Sequence, residues 1–240
     1  MKRSVAQKLW GWLLDYCYVA YWMTRSFLSR TGTEQFQNPP MGPYAPILLI
    51  PGVYENWRFM QPLATHLNST GHPVHVLDKL GYNTGGIAPM ARIVHEYLQS
   101  SNLHDVVVIA HSKGGLIIKH ALADPDTSRR VKHVITINTP FSGSRYAYLF
   151  ALRSVRMFTP TGPMIRQLAL NSAINRHITS LYSVFDPHIP ETGHLVGAEN
   201  VILPTIGHFR PIAAASTLRT IDRILARLSG GDSPLPETHS

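Results

Sequence analysis

Short apolar runs recur along the chain from residue 45, and longer segments with helical spacing separate them. The first four runs are apolar on both faces, as strands must be when helices cover both sides of a parallel sheet. Because strands and helices alternate, the pattern predicts an α/β fold with right-handed crossover connections. The predicted strands are residues 47–50, 74–77, 106–110, 134–138, 181–185 and 200–204, and the predicted helices are residues 56–70, 87–100, 114–123 and 211–228.

Length and composition favour one folded domain. The chain has 240 residues, of which 44% are hydrophobic, enough for one extensive buried core. We predict an aromatic, basic N-terminal helix and linker at residues 1–44, a folded domain at 45–229 and a polar tail at 230–240. The single cysteine, Cys17, excludes an intrachain disulfide. The lack of disulfides fits the cytoplasm but does not exclude export.

The chain is basic, with 22 Lys and Arg residues against 14 Asp and Glu residues and a formal net charge of +8. A strong positive charge can indicate a nucleic-acid or anionic-lipid partner. Here the basic residues are scattered and form no dense block, a pattern typical of a soluble basic surface. We therefore expect no nucleic-acid partner, which would be recognised by salt-sensitive retention on DNA.

Residues 9–28 differ from the rest of the chain because aromatic and aliphatic side chains recur there at helical spacing. A membrane-spanning helix is disfavoured, since Asp15 interrupts the apolar stretch. A secretory signal is also disfavoured, because no small-residue cleavage site follows. Two interpretations stay open: the amphipathic helix lies on a membrane surface, or it packs on the body of the protein. The first would make the protein peripheral to a membrane.

Ser112 lies at the carboxyl end of the third predicted strand, directly before a glycine-rich helix start. In open α/β sheets, chemistry gathers at the carboxyl ends of the strands. Ala110 and Gly114 are small enough for strand and helix to approach closely around a nucleophile held on a sharp turn. Alanine departs from the usual G-x-S-x-G pattern by one methyl group. The alternative is a serine that only caps the helix.

A serine nucleophile needs a base, and the base needs a third group that fixes its tautomer. After a strand, turn and helix of this kind, the acid comes first along the chain and the histidine second. Asp186 follows the predicted strand 181–185, and His208 follows the predicted strand 200–204 on a loop that Gly207 can bend. Both therefore lie where the carboxyl edge of the sheet needs them.

Other residues compete for these two roles. Asp186 precedes a proline and is also consistent with a simple turn. His188 and His194 are rival bases, but both precede the last predicted strand. Asp78 ends the second predicted strand, yet it precedes the serine. His111 adjoins the serine and is expected to pack within the turn.

Several stretches together resemble the α/β-hydrolase superfamily, and more closely its small bacterial lipases and carboxylesterases. They are LLIPGVYENW, GHPVHVLDKLGYN, VVVIAHSKGGL, TINTPFSGS, FDPHIP and GAENVILPTIGHF, and the likeness covers residues 45–228. The resemblance implies a mostly parallel central sheet with helices on both faces and a small helical cap. It also implies Ser112 as the nucleophile, Asp186 as the acid and His208 as the general base.

The same resemblance implies an oxyanion hole made by two backbone N–H groups. They map to Lys113, which follows the nucleophile, and to Val53, in the loop after the first strand. Pro51 replaces a histidine that is common in the family, but the N–H of Val53 stays available. Because both donors are main-chain groups, Lys113→Ala is expected to leave the hole largely intact.

The segment 144–174 contains more large apolar residues than a crossover helix needs. One interpretation is ordinary core. The other is a small cap over Ser112 that lines an acyl pocket and selects esters with medium or long chains. The candidate pocket residues are Tyr54, Tyr146, Leu149 and Phe150.

We therefore expect a metal-free serine hydrolase that cleaves carboxylic esters through an acyl-enzyme, an esterase or lipase of lipid metabolism. No cofactor motif or metal-ligand spacing is visible, so no cofactor is expected. The expected partners are an ester or lipid substrate and, if the first interpretation of residues 9–28 holds, a membrane surface. Three alternatives remain: an acyltransferase with the same three residues, a hydrolase of thioesters or amides, and a non-catalytic binding protein of the same fold.

Overall fold

Six parallel strands form one sheet at the centre of the protein, in the order β2-β1-β3-β4-β5-β6. The computed structural model of the chain describes residues 4–28, 32–40 and 44–230. All six predicted strands are present, and the sheet confirms the predicted α/β class. The strands are β1 (Ile47–Ile50), β2 (Val74–Val76), β3 (Val106–His111), β4 (Val131–Ile137), β5 (Ile178–Phe185) and β6 (Glu199–Ile206).

Helices connect the strands and cover both faces of the sheet. Within the described residues the α-helices are α1 (Val5–Leu28), α2 (Gln61–Ser69), α3 (Ile87–Ser100), α4 (Lys113–Ala121), α5 (Pro125–Arg130), α6 (Arg153–Arg156), α7 (Pro163–Leu170) and α8 (Ala215–Leu228). Short 3₁₀ helices span Glu34–Phe36, Trp57–Met60, Asp78–Leu80, Arg145–Leu149, Ala173–His177 and Arg210–Ala213.

Helix α5 was not predicted, although two local signals mark its start. The side chain of Asp124 accepts a hydrogen bond from the N–H of Thr127, and Pro125 occupies the first helical turn. Both are typical of a helix N-terminus. The helix has only six residues, too few for its apolar spacing to stand out in the sequence.

Alternate residues of the strands point to opposite faces and build two cores. On one face, Val106, Val108 and Val134 pack against helices α3, α4 and α7. On the other face, Val107 and Ile109 pack against helices α2 and α8. Because both faces are covered, β1 and β3 inside the sheet are buried throughout and apolar at nearly every position, as the sequence indicated.

Helix α1 packs on the second of these faces. Gly11 lies so close to β6 that a Cβ atom there would overlap the side chain of Ile206. On the outer side, Trp10, Leu13 and Tyr21 stay exposed. Within the part of the chain that the structure describes, no helix is long and apolar enough to cross a membrane. Membrane-surface binding by residues 9–28 stays a prediction.

The segment predicted as a cap, residues 144–174, connects β4 to β5. It contains the 3₁₀ helix Arg145–Leu149, α6, α7 and the start of the 3₁₀ helix Ala173–His177 instead of one crossover helix. A hydrogen bond of 2.6 Å between the hydroxyls of Tyr54 and Ser154 joins the segment to the loop after β1. Residues 41–43 of the predicted linker and 231–240 of the predicted tail lie outside the described residues.

Gly114→Ala is expected to destabilise the protein by about 1–3 kcal/mol, because a Cβ atom at this position would overlap the carbonyl oxygen of Ile50. Backbone atoms cannot yield as a flexible side chain can. Urea unfolding followed by circular dichroism measures the change. The matched control is Gly32→Ala, where an added Cβ atom would meet no heavy atom of the described residues within 4 Å apart from its chain neighbours. Equal stability of the two variants would contradict the close approach of α4 to β1.

Candidate active site

Ser112 lies on a strained turn between β3 and α4. Its φ is 49° and its ψ is −119°, a conformation that side chains rarely adopt. The N–H of Ser112 donates to the carbonyl of Ile137, and the hydroxyl of Thr139 donates to the carbonyl of Ser112. These bonds fix the turn to the neighbouring strand. The arrangement is that of a serine held out at the carboxyl end of a strand.

A chain of two hydrogen bonds links the three side chains singled out in the sequence. The Nδ1–H of His208 donates to Oδ2 of Asp186 at 2.7 Å. The hydroxyl of Ser112 lies 3.0 Å from Nε2 of His208 and donates to it in this tautomer. The structure therefore brings together Ser112, His208 and Asp186 from three separate loops of the sheet edge.

Opposing effects set the protonation of His208. Burial, the largest effect, disfavours the imidazolium, but the carboxylates of Asp186, Glu55 and Asp15 outweigh it and raise the pKa of His208 above its ordinary value. The Asp186 carboxylate contributes by its charge and by its hydrogen bond. His208 therefore has the raised basicity that a proton acceptor for Ser112 needs.

Asp186 is held in place by the turn that follows it. Its Oδ1 accepts the N–H of His188 at 2.8 Å and that of Ile189 at 3.2 Å, which leaves Oδ2 for His208. The carboxylate thus shapes the turn, as the alternative interpretation expected, and also orients the imidazole.

The rival residues lie in other environments. His188 is partly buried, and burial, together with the neighbouring charges of His208 and His111, lowers its pKa to about 4 even though Asp186 opposes the shift. Its Nε2 forms a hydrogen bond of 3.0 Å with the hydroxyl of Tyr16. His194 is exposed, and Asp78 is exposed at the start of a 3₁₀ helix.

The predicted oxyanion donors lie on either side of Ser112 in the fold. Lys113 begins α4, and Val53 lies in the loop after β1. Neither backbone N–H donates to another group within the described residues, so both are free to meet a ligand.

The side chain of Lys113 has a further role that the sequence did not show. Its buried Nζ donates to the carbonyls of Asn83 and Gly85.

Burial lowers the pKa of this lysine to about 8. Lys113→Ala would leave the buried carbonyl of Asn83 and the partly buried carbonyl of Gly85 without their donor, so its effect on activity has to be separated from its effect on stability.

An apolar cavity of about 440 Å³ opens beside Ser112 and His208. Its volume falls in the range of small-molecule pockets. All four residues predicted for the pocket line it, and the other walls include α1 residues that the sequence did not assign to it. The predicted residues are Tyr54, Tyr146, Leu149 and Phe150, and the α1 residues are Trp12, Tyr16, Val19 and Met23.

Comparison with known proteins agrees with this architecture. A family model described as alpha/beta hydrolase fold matches residues 45–161. The protein has the α/β-hydrolase fold. The mature lipase BlEst2 of Bacillus licheniformis is similar, with a TM-score of 0.63 at 17% sequence identity, over 79% of this chain and 96% of the lipase.

Two carboxylesterases also have similar structures at low sequence identity. The metagenomic carboxyl esterase MGS0156 has a TM-score of 0.60 at 14% identity, over 80% of this chain and 78% of the esterase. The structure reported for a carboxylesterase of the thaumarchaeon Nitrososphaera gargenis has a TM-score of 0.59 at 15% identity, over 78% of this chain and 91% of the carboxylesterase. No curated protein sequence matches this chain. The predicted resemblance to small lipases and carboxylesterases is thus confirmed at the level of the fold.

This hydrolase fold carries a second buried pair beside the serine, which sequence reasoning missed. Nδ1 of His111 lies 2.9 Å from the carboxylate of Glu55, and its Nε2 donates to the carbonyl of His208 at 2.9 Å. Glu55 also accepts the N–H of Gly52 at 2.7 Å. His111 thus packs within the turn, as expected, and also ties the Gly52 loop to the histidine loop.

Among the residues that the structure describes, two side-chain clusters have donor atoms close enough for a metal ion. In the first, Asp186, His188 and His208 offer ligand atoms within 4.8 Å of one another. The nitrogens of His208 are already engaged with Asp186 and Ser112, so hydrogen bonding accounts for this cluster. The second consists of His95, Asp124 and Asp126, with ion pairs to Asp126 from Arg129 and Arg130.

Asp186→Asn is expected to lower the pKa of His208, because the variant loses the charge and the hydrogen bond that raise it while burial still lowers it. NMR titration of the imidazole Cε1–H measures the pKa, with the resonance assigned by its loss in His208→Gln. Asp78→Asn is the matched control and should leave the titration unchanged. An unchanged or raised pKa in Asp186→Asn would show that the carboxylate does not act on His208.

Proposed function

We propose that the protein hydrolyses carboxylic esters through an acyl-enzyme on Ser112. The observation that carries the proposal is the hydrogen-bond chain from Asp186 through His208 to Ser112 at the wall of an apolar cavity. The fold shared with lipases and carboxylesterases supports it. A chain without this chemistry would have no need for all three groups in this order.

In the first half of the reaction, Oγ of Ser112 attacks the ester carbonyl carbon while Nε2 of His208 takes the hydroxyl proton. The carbonyl π electrons move to oxygen, and the N–H groups of Val53 and Lys113 stabilise the oxyanion. When the intermediate collapses, the carbon–oxygen bond to the alcohol breaks and the imidazolium returns its proton to the leaving oxygen. Asp186 stabilises the imidazolium throughout.

In the second half, water replaces the alcohol. His208 takes a proton from the water, whose oxygen attacks the acyl carbon. When the bond between the acyl carbon and Oγ of Ser112 breaks, the imidazolium returns that proton to Oγ and the acid leaves. Each oxyanion donor typically contributes about 3 kcal/mol to lowering the barrier. An alcohol in place of water would give acyl transfer by the same steps, and product analysis distinguishes the two outcomes.

The cavity favours an apolar acyl chain as the part of the substrate that it binds. Aromatic and aliphatic side chains form most of its walls, on the 144–174 segment and on α1. Removing an alkyl chain from water is favourable by about 0.8 kcal/mol per methylene group. We therefore propose esters of medium or long chain as substrates, consistent with a lipase or an esterase.

Ser112→Ala is expected to abolish hydrolysis of p-nitrophenyl esters, because the nucleophile is lost while the cavity stays. A fluorophosphonate should add one covalent adduct to the wild-type protein, located on Ser112 by peptide mass spectrometry. Ser100→Ala, an exposed serine on α3, is the control and should behave as the wild type. Turnover that survives in Ser112→Ala, or an adduct on another residue, would refute the proposed nucleophile.

Val155→Phe is expected to lower kcat/KM for p-nitrophenyl octanoate at least 10-fold while changing that for the acetate by less than about twofold. Val155 lines the cavity, so a larger side chain removes space that a long acyl chain needs, and such steric differences discriminate by about 10- to 200-fold. Val196→Phe, at an exposed loop position, is the control. An equal loss for both esters would place the acyl chain elsewhere.

A further inference from the structure

Asp15 of helix α1 is fully buried against the loop that carries His208. Its Oδ2 accepts the N–H of His208 at 2.8 Å, and its Oδ1 accepts the N–H groups of Phe209 at 2.9 Å and Arg210 at 2.7 Å. One carboxylate thus satisfies three consecutive backbone donors, the first of which belongs to the proposed base.

These donors open the 3₁₀ helix Arg210–Ala213, which has no cap of its own. Phe209 occupies the cap position, and its side chain cannot accept a hydrogen bond. The first N–H groups of a helix need acceptors from outside the helix. Asp15 supplies them from nearly two hundred residues away along the chain.

Two glycines make this close contact feasible, one on each side. Gly11 allows α1 to approach Ile206, since a Cβ atom there would overlap the isoleucine side chain. Gly207 has a φ of 119°, and a Cβ atom on it would lie 2.5 Å from Oδ1 of Asp15. The contact of α1 with Ile206 and the contact of Asp15 with the His208 loop therefore both depend on a glycine.

The main chain of His208 is held from its other side as well. Its carbonyl accepts Nε2–H of His111 at 2.9 Å and Nδ2–H of Asn138 at 2.9 Å. With Asp15 on the N–H and these two donors on the carbonyl, the backbone of the proposed base cannot shift without breaking a buried hydrogen bond. Asp15 is the one of these partners that α1 supplies.

We propose that Asp15 is a positioning residue for His208, so that the N-terminal helix is part of the active site and not a detachable anchor. The inference rests on the proposed function for its effect on turnover. Its structural part, the hold of Asp15 on the histidine loop, stands on the hydrogen bonds alone.

The charge of Asp15 affects the pKa of His208, an effect that docking of the helix alone would not have. The Asp15 carboxylate is one of the charges that raise the pKa of His208. His208 must be neutral to accept the serine proton, so activity falls as pH falls through its pKa, which lies above the ordinary 6.5. Removing the Asp15 charge should move this fall to lower pH. The other titratable groups that face His208 are Asp186, Glu55, His188 and His111.

The test is Asp15→Asn, which keeps the size of the side chain but removes its charge and one acceptor. We expect kcat to fall about 10- to 100-fold, because small displacements of a reacting group are costly, with KM within about twofold. We also expect the acid limb of kcat/KM to move to lower pH. Rates are normalised to active sites titrated with a fluorophosphonate. Glu34→Gln, an exposed acid beyond α1, is the matched control and should change nothing.

Two results would overturn the inference: an unchanged kcat in a folded Asp15→Asn protein, or a reduced kcat with an unmoved acid limb and an unmoved His208 titration. If the wild type itself hydrolyses no ester, the proposed function fails. The NMR titration of His208 in Asp15→Asn then still decides whether Asp15 acts on the histidine, with a lowered pKa as the supporting result.

The wild type offers a test that does not depend on folding of the variant. Burial raises the pKa of Asp15 above its ordinary value, against the lowering effect of its three N–H donors. We expect the amide proton shifts of His208, Phe209 and Arg210 to follow one common titration above pH 3.8. Independent or absent titration of these three amides would mean that the carboxylate does not hold the loop.

Discussion

The backbone of Ser112 is the constraint on which the site depends. A side-chain-bearing residue with positive φ typically costs about 1–3 kcal/mol and persists only where the surroundings enforce it. Here β3 and α4 enforce it from both sides, and the carbonyl of Ile137 and the hydroxyl of Thr139 fix the turn between them. Gly114 is needed for the same reason, because any Cβ atom there would meet the backbone of β1. The parallel sheet thus determines where the serine hydroxyl lies.

The position of His208 has a different origin. The histidine follows β6, the last strand of the sheet, which has a neighbour on one side only. No helix begins directly after it with its own cap, so the sheet alone does not fix the loop. Three hydrogen bonds do so: Asp15 of α1 accepts the N–H of His208, and His111 of β3 and Asn138 of the loop after β4 donate to its carbonyl. The serine is therefore positioned by the packing of β3 and α4 within the sheet, and the histidine by hydrogen bonds to its loop from residues outside β6.

This difference explains how much of the structure the sequence could predict. The six strands and Ser112 were predictable because apolar runs, and a serine between small residues at a strand end, are local signals. Asp186 and His208 followed from the order of elements, since each lies just beyond a strand at one edge. Asp15 was visible only as an acid that interrupts an apolar helix, and its partners lie far away in the sequence. Glu55 carried no signal either, because a buried pair with His111 depends on how two loops meet in space.

Helix α1 contains one acid among large apolar residues because it contacts two different regions, the cavity and the His208 loop. Trp12 and Tyr16 lie one turn apart on the helix and line the cavity, so this part of α1 favours large apolar residues. Asp15 precedes Tyr16 and turns to the histidine loop instead. An apolar residue in its place would leave the N–H groups of His208, Phe209 and Arg210 without their acceptor, and an unpaired buried donor costs about 1–3 kcal/mol. Asp15 therefore stabilises the His208 loop that α1 covers. Helix α1 both lines the cavity and holds the loop of the proposed base.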